Sequence, residues 1–232
     1  MTFRLHSIDT RAELAEQLAD TVAKALTDAL DARGAATLAV SGGSTPKAFF
    51  EALSTRPLHW EKVTITLVDE RYVPANNPRS NHLLLAEHLL QDKAAEAQVL
   101  PLYKDGIHAD EAAKLGTAQA EELGHPFDVV ILGMGTDGHT ASFFPGGDQL
   151  AEALDLSAPR QVMTMEAAGA GEPRLTFSFS ALHDARLLVL HIEGEEKKTV
   201  LDAAMSGSDE AKMPIRAVLN RAATPVDIYW AP

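Results

Sequence analysis

The sequence contains no cysteine, which excludes disulfides, thiolate nucleophiles and cysteine-based metal sites. Positive charge is also scarce, because 20 lysines and arginines stand against 33 aspartates and glutamates and leave a formal net charge of −13. Nucleic acids and anionic membranes are bound through clustered lysine and arginine, so neither is an expected partner. An anionic substrate therefore needs positive groups that are placed locally at its binding site.

Long apolar runs are missing as well. No run approaches the ~20 residues that cross a bilayer, and the amino-terminal segment lacks the apolar core of a signal peptide. We therefore expect a cytoplasmic protein without a membrane partner. The chain has 232 residues and no long linker, which predicts a single domain over residues 1–232. The sequence carries no signal for an oligomeric state.

Strand and helix patterns alternate along the chain. Thr10 and Glu13 have the spacing of a capping box, and the helix that they open carries an apolar residue at every fourth position up to Gly34. Further helices are predicted after Pro46 and over residues 81–90, 109–123 and 195–205. The predicted strands are TLAV, VTITLV, VLPLY, DVVILG, QVMTME, LTFSFS, LLVLHI and VDIYW. This alternation predicts an α/β fold with a layered, mostly parallel sheet flanked by helices, in a modified Rossmann-like arrangement.

The first turn that is rich in functional groups is SGGSTP, residues 41–46, which follows the strand TLAV. Ligands of parallel sheets bind at the carboxyl ends of the strands. Two glycines let the backbone approach a ligand closely, and the following helix start offers unpaired N–H groups to a phosphate. The alternative is a tight turn in which Ser44 or Thr45 only caps the helix. The spacing is not that of a Walker loop.

The second turn begins at Asp69, directly after the apolar strand VTITLV, and reads DERYVP. Charged residues at a strand end line either a site or a solvent-exposed rim, and the exposed rim is the commoner case. Arg71 is of interest because a guanidinium there offsets the negative field of the chain at a phosphate or at a developing oxyanion.

The third turn, GMGTDGHT over residues 133–140, contains a formal GxGxxG. A dinucleotide site is disfavoured, because no helix opens at the third glycine and the acidic Glu166 lies too far along the chain. His139, with Asp137 two residues before it, is instead placed for proton transfer near neutral pH, the alternative being an ordinary loop histidine. None of the nine histidines has a metal-ligand spacing such as HExxH, so we predict no metal.

Taken together, SGGSTP, DERYVP with Ser80 and Asn81, and ILGMGTDGHTASFFPG resemble the 6-phosphogluconolactonase family in order and spacing. The likeness runs from the first helix to the last strand. The related glucosamine-6-phosphate deaminases share the glycine turns and the DGH histidine. They differ at two places. Their second motif resembles DEYVG, where this chain has Arg71 in place of tyrosine, and they carry a glutamate shortly after the histidine, where this chain has SFFPG over residues 142–146.

The resemblance implies hydrolysis of 6-phosphogluconolactone to 6-phosphogluconate in the oxidative pentose phosphate pathway, without a cofactor. It implies that His139 is the general base, that Arg71 orients the substrate or stabilises the oxyanion, and that Asp137 or Asp69 orients the histidine. The residues that it implies for substrate binding, mainly of the phosphate, are Gly42, Gly43, Ser44, Thr45, Gly138, Arg174 and Lys197. Lys197 is preferred to the adjacent Lys198 only by its position in the family pattern.

Two other functions are alternatives to this one. A deaminase and isomerase of amino-sugar phosphates would need the glutamate that is missing here. A non-catalytic sugar-phosphate-binding protein would keep the phosphate turn and would need an element that binds DNA or a protein partner, which the sequence does not display.

Overall fold

Seven parallel strands form the central sheet of the computed structural model, which describes residues 3–232. In chain order the strands and helices are β1 (Phe3–Ser7), α1 (Arg11–Arg33), β2 (Ala36–Val40), α2 (Lys47–Ser54), β3 (Val63–Leu67), β4 (Asp69–Arg71), α3 (Asn81–His88), β5 (Gln98–Leu100), α4 (Ala109–Leu123), β6 (Val129–Leu132), α5 (Leu150–Ala153), β7 (Val162–Met165), β8 (Arg174–Phe177), α6 (Phe179–Leu182), β9 (Leu187–Glu193), α7 (Glu195–Met205), α8 (Ile215–Arg221) and β10 (Val226–Ala231).

The strand order of the central sheet is β1-β10-β9-β6-β2-β3-β5, and every neighbouring pair is parallel. A second, antiparallel sheet has the order β4-β8-β7. Strands such as β6 are buried along their whole length, as expected of parallel strands covered on both faces. The predicted α/β class with a mostly parallel sheet is confirmed.

Helix α1 shows how the sequence pattern becomes packing. The Thr10 side chain accepts a hydrogen bond from the backbone N–H of Glu13 at 3.2 Å, which caps the helix start. Leu14 and Leu18 are fully buried members of its apolar stripe. Gly34 ends the helix with φ 77°, a left-handed conformation that glycine adopts without strain. The predicted first helix is therefore confirmed at both ends.

Several predicted elements were wrong in extent or position. The strand predicted over LTFSFS ends at Phe177, because the hydroxyls of Ser178 and Ser180 bond to each other at 2.9 Å and the chain turns into α6. The strand predicted over VLPLY ends at Leu100, since Pro101 has no N–H for the ladder. The DERYVP motif was interpreted as a turn, but its first three residues form β4. Strand β1 and helix α8 were not predicted.

None of the helices within residues 3–232 combines the length and the apolar character needed to cross a membrane.

Candidate active site

A cleft of about 220 Å³ opens at the carboxyl ends of the central strands. Its walls come from the turn after β2, from β4, from the loop after β6 and from the ends of β8 and β9. The residues predicted from the sequence that line it are Gly42, Gly43, Ser44, Thr45, Asp69, Arg71, His139, Arg174 and Lys197. Asp137 and Gly138 belong to the loop that carries His139. The three separate sequence motifs therefore meet at one place.

Asp137 holds the ring of His139. Its Oδ1 atom lies 2.6 Å from His139 Nδ1 and accepts the backbone N–H of His139 at 3.0 Å. An ionised carboxylate only accepts, so Nδ1 carries a hydrogen, and in the neutral ring the lone pair is on Nε2. Burial raises the pKa of the Asp137 carboxyl, but the hydrogen bonds and the charge of His139 outweigh burial and lower the pKa overall.

The loop that carries this pair depends on residues with little or no side chain. A Cβ atom at Gly135 would lie 2.1 Å from His139 Nδ1, so only glycine leaves room for the imidazole. Gly138 has φ 79°, and its carbonyl accepts the N–H of Ile215 at 2.9 Å, which ties the loop to the start of α8. Ala141 has φ 47°, a conformation that is strained for a residue with a Cβ. The glycines of the third motif thus shape the loop that carries His139.

The glycine turn after β2 packs tightly on the second motif. A Cβ at Gly42 would lie 2.0 Å from Asn81 Oδ1, so glycine is required at this contact. Gly43 has φ 99°, which also favours glycine. The turn is tied to the loop that carries His139 because Ser41 Oγ accepts the N–H of Gly133 at 3.0 Å. These contacts leave the backbone of residues 42–45 exposed along one wall of the cleft, directly before α2.

Glu70 lies in the sequence between the cleft residues Asp69 and Arg71, and its role is structural. Its side chain is buried and accepts the backbone N–H groups of Arg71, Asn81 and His82 at 2.8 Å each, and the hydroxyl of Ser80 at 3.1 Å. Burial raises the pKa of the Glu70 carboxyl, and the four hydrogen bonds oppose that rise. Glu70 thereby fastens β4 to the start of α3, which accounts for Ser80 and Asn81 accompanying this motif in the sequence.

Asp69 lines the cleft and lies on the face of β4 opposite to Glu70. The sequence offered Asp69 as one of two acids that could orient His139, but its contacts are with other residues. Its Oδ2 accepts the Ser142 hydroxyl at 2.6 Å and lies 3.8 Å from Nη1 of Arg174. Of the two acids considered, the structure brings Asp137 to His139. Asp69 instead anchors the residue after the strained Ala141 and balances one cation.

Three cations surround the cleft. Arg174 is buried, donates to the Ala170 carbonyl at 2.7 Å and lies over the Phe144 ring at 5.3 Å. Burial lowers its pKa, and the charge of Asp69 opposes that shift. Arg71 Nη1 donates to the Arg79 carbonyl at 2.7 Å and to Asn81 Oδ1 at 3.0 Å. These contacts fix both guanidinium groups at the wall of the cleft.

Lys197 is the third cation and lies in the first turn of α7. Burial lowers the pKa of its ammonium, and the charges of Glu196 and Asp137 oppose the shift. The adjacent Lys198 instead makes an i,i+4 ion pair with Asp202 at 2.6 Å. The structure therefore separates two neighbouring lysines that the sequence alone did not distinguish.

Asn81 and His191 also line the cleft, although the sequence assigned no role to either residue. Asn81 donates to the Asp69 carbonyl at 3.0 Å and accepts from Arg71, so it links the glycine turn to β4. His191 lies within the apolar run of β9 and lines the same cleft. Its only signal in the sequence is a polar side chain near the carboxyl end of a buried strand. Among residues 3–232, no group of three or more histidine and carboxylate side chains is arranged to hold a metal ion.

The chain is similar to several known proteins. The family model for glucosamine-6-phosphate isomerases/6-phosphogluconolactonase matches residues 9–230. A protein of Rhizobium meliloti named 6-phosphogluconolactonase is 61% identical over 232 residues, which are 100% of both chains. One of Mesorhizobium japonicum with the same name is 49% identical and covers 100% of this chain and 96% of its own. The crystal structure of a 6-phosphogluconolactonase from Shewanella baltica superposes with a TM-score of 0.95 at 42% identity, covering 99% of this chain and 98% of that one.

Proposed function

Because the chain belongs to the glucosamine-6-phosphate isomerase/6-phosphogluconolactonase family, we propose that it hydrolyses 6-phosphogluconolactone to 6-phosphogluconate in the pentose phosphate pathway. Relatives named for this activity share 61% and 49% of its residues over the full chain. The observation that carries the mechanism is the pair formed by His139 and Asp137 at the mouth of a cleft lined with cations. A cytoplasmic location and a single catalytic domain over residues 1–232 are part of the same proposal.

His139 acts as the general base in this mechanism. With Nδ1–H donated to Asp137, Nε2 takes a proton from a water molecule as its oxygen attacks C1 of the lactone. The tetrahedral intermediate then collapses, the bond from C1 to the ring oxygen breaks, and the imidazolium returns the proton to that oxygen. Asp137 stabilises the imidazolium between these two steps. A lactone is an activated ester, so this chemistry needs no covalent intermediate.

Charge is supplied from the walls of the cleft. In this proposal, the backbone N–H groups of residues 42–45, Arg174 and Lys197 hold the phosphate dianion, which a chain with a net charge of −13 would otherwise repel. Arg71 orients the substrate or stabilises the oxyanion that develops on the C1 carbonyl. Gly138 contributes through the turn that presents His139.

The family also contains amino-sugar isomerases, and the loop after His139 distinguishes the two activities. The deaminases that this family resembles carry a glutamate shortly after the histidine. Here residues 140–147 contain no acid, and the ring of Phe144 lies against His139 with the centroids 4.5 Å apart. The Phe144 side chain has no acidic group that could donate a proton to open the ring of an amino sugar. Release of ammonia from glucosamine 6-phosphate at a rate comparable to lactone hydrolysis would contradict the assignment.

The proposed function is tested by adding purified protein to freshly generated 6-phosphogluconolactone and following the formation of acid, after correction for spontaneous opening. We expect saturable acceleration that persists in the presence of a metal chelator, because the mechanism uses no metal. A rate equal to the spontaneous background would rule out the proposed function, and a rate that chelation abolishes and a divalent ion restores would rule out the mechanism.

A further inference from the structure

His191 is a buried imidazole in the cleft that the mechanism above does not use. It is 3% exposed and lies near the carboxyl end of β9, beside the strand β6 that leads into the catalytic loop. Since Leu190 is paired with Leu132, His191 is level with Gly133 at the start of that loop. It lines the same cleft as residues 42–45 and Lys197.

The two ring nitrogens of His191 are in different situations. Nε2 lies 3.2 Å from Oε1 of Glu193, whose side chain is 12% exposed, while Nδ1 is buried and has no hydrogen-bond partner among residues 3–232. The Glu193 carboxylate only accepts, so Nε2 carries a hydrogen. A second hydrogen on Nδ1 would be a buried donor without an acceptor, which is costly. In the neutral ring, the lone pair is therefore on Nδ1.

The surroundings of His191 favour a positive ring once an anion is bound. On its own strand it faces Glu193, which lies 3.8 Å from Arg11 of α1. From α2 it meets the edge of the uncharged Phe49 ring, with the centroids 6.0 Å apart. Helix α2 follows the glycine turn, and His191 lines the same cleft as residues 42–45, which are proposed to hold the phosphate. The other charged and titratable groups around the cleft are Asp69, Arg71, Asp137, His139, Arg174 and Lys197.

We propose that His191 is a further binding residue for the substrate phosphate and that it takes up one proton when the dianion binds. The proton comes from solvent and is placed on Nδ1, which then donates to a phosphate oxygen while Nε2–H remains on Glu193. An imidazolium between two anions is favoured over a neutral ring, whose lone pair would face the phosphate oxygen. The proton returns to solvent when the product leaves. This inference rests on the proposed function, because it assumes a phosphorylated ligand in this cleft.

Calorimetric titration tests the proton uptake directly. The full chain is titrated with 6-phosphogluconate, and separately with gluconate, in buffers of different ionisation enthalpy at one pH. We expect the wild type to take up more protons with 6-phosphogluconate than the His191→Gln variant, and the variant to bind it roughly tenfold or more weakly, the weight of a lost hydrogen bond to a charged group. Gluconate, which has no phosphate, should bind both proteins alike. His183→Gln is the matched control, since His183 also has a buried Nδ1 without a partner but lies outside the lining of the cleft.

A second measurement needs no variant and so does not depend on whether His191→Gln folds. The ¹⁵N resonances of the histidine rings in the wild type are followed as 6-phosphogluconate is added. We expect Nδ1 of His191 to change from the unprotonated to the protonated position. An Nδ1 that stays unprotonated in the saturated complex overturns the inference, as does an affinity and proton count unchanged in a folded His191→Gln protein. In either case lactone hydrolysis by the wild type would leave the proposed function standing, whereas a wild type that neither hydrolyses the lactone nor binds 6-phosphogluconate would remove both.

Discussion

Arg71 and Arg174 lie directly opposite each other in the antiparallel pair of β4 and β8. Like charges in facing positions of two strands repel, and the charge of Arg71 contributes to the lowered pKa of Arg174. Asp69, on the same face, is 3.8 Å from Arg174 and offsets part of this repulsion. The site therefore carries an unfavourable arrangement of positive charge, which binding of an anion would relieve.

This arrangement predicts that phosphorylated ligands stabilise the fold. At a 6-phosphogluconate concentration of 100 times Kd, binding adds about 2.7 kcal/mol, or roughly 5 to 10 °C in Tm for a chain of this size. Thermal unfolding with and without the ligand measures the shift. Arg174→Met should lose most of it, while Arg160→Met, which removes an ion pair with Asp184 on another surface, should keep it. An equal shift in both variants would exclude Arg174 from the anion site.

Replacing His139 with Ala should remove the proposed general base of the hydrolysis. Proton transfer by a positioned side chain contributes about 10² to 10⁴ to the rate, so kcat should fall by that factor while the affinity for 6-phosphogluconate changes little. Steady-state kinetics and product titration give the two quantities. His88→Ala serves as the control, because His88 pairs with Glu51 at the surface. Full activity of His139→Ala above the background would make the proposed mechanism wrong.

Replacing Asp137 with Asn should lower kcat by roughly ten- to a hundredfold, the weight of a charged hydrogen bond of ~1.5–3 kcal/mol. The asparagine keeps the shape of the side chain but no longer stabilises the imidazolium. Single-turnover kinetics with saturating lactone isolates this step from substrate binding. If kcat were retained, Asp137 would only shape the loop.

The lowered pKa of Asp137 also predicts how stability depends on pH. A carboxyl whose folded pKa lies below the ordinary value of 3.8 stabilises the fold above that value and loses this contribution as the pH falls through the folded pKa. The difference in unfolding free energy between the wild type and Asp137→Asn should therefore be largest near neutral pH and shrink below pH 3.8. Urea unfolding of both proteins across this range measures it, and a difference that grows toward low pH would contradict the prediction.

Two glycine substitutions should damage the site in different ways. Gly135→Ala pushes the His139 ring from its place, and since small displacements of a catalytic group cost up to about 10²-fold, kcat should fall. Gly42→Ala displaces Asn81, so binding of the phosphate should weaken and KM should rise. Gly169→Ala is the control, because a Cβ there meets no atom within 4 Å. Identical kinetic defects in the two site variants would argue for general unfolding.

Lys197→Ala should raise KM more than it lowers kcat, because a contact to the phosphate, remote from C1, binds substrate and transition state alike. Truncating one charged hydrogen bond predicts a rise of roughly tenfold or more. Lys198→Ala gives the comparison, since this neighbour pairs with Asp202 and should leave KM unchanged. An unchanged KM in Lys197→Ala would remove the residue from the phosphate site.

The sequence predicted the central sheet because its strands are buried on both faces and read as apolar runs. It did not predict β1, whose residues FRLHS carry the mixed pattern of an edge strand. The separate sheet of β4, β8 and β7 was missed for another reason, since an apolar run does not tell a parallel from an antiparallel partner. The pairing of Arg71 with Arg174 follows from that sheet and was equally hidden.

Part of the candidate site could be predicted from the sequence, because three motifs rich in glycine and charged residues follow predicted strands. The sequence analysis proposed Asp137 as one of two possible partners of His139, because the two residues lie in the same loop. It proposed none of the contacts that the structure shows between residues far apart in the sequence. Ser142 on Asp69, Asn81 against Gly42 and His191 beside the glycine turn depend on which strands become neighbours, and local spacing carries no such information.

The position of β1 has a consequence for the newly made chain. In the central sheet its neighbour is β10, the last strand in the sequence, with Phe3 opposite Val226. Synthesis proceeds from the amino terminus, so β1 leaves the ribosome long before the strand that it pairs with exists. The backbone N–H and C=O groups of β1 stay unpaired until β10, more than 200 residues later in the chain, has been synthesised. Loss of β10 would therefore also leave β1 without the strand that it pairs with.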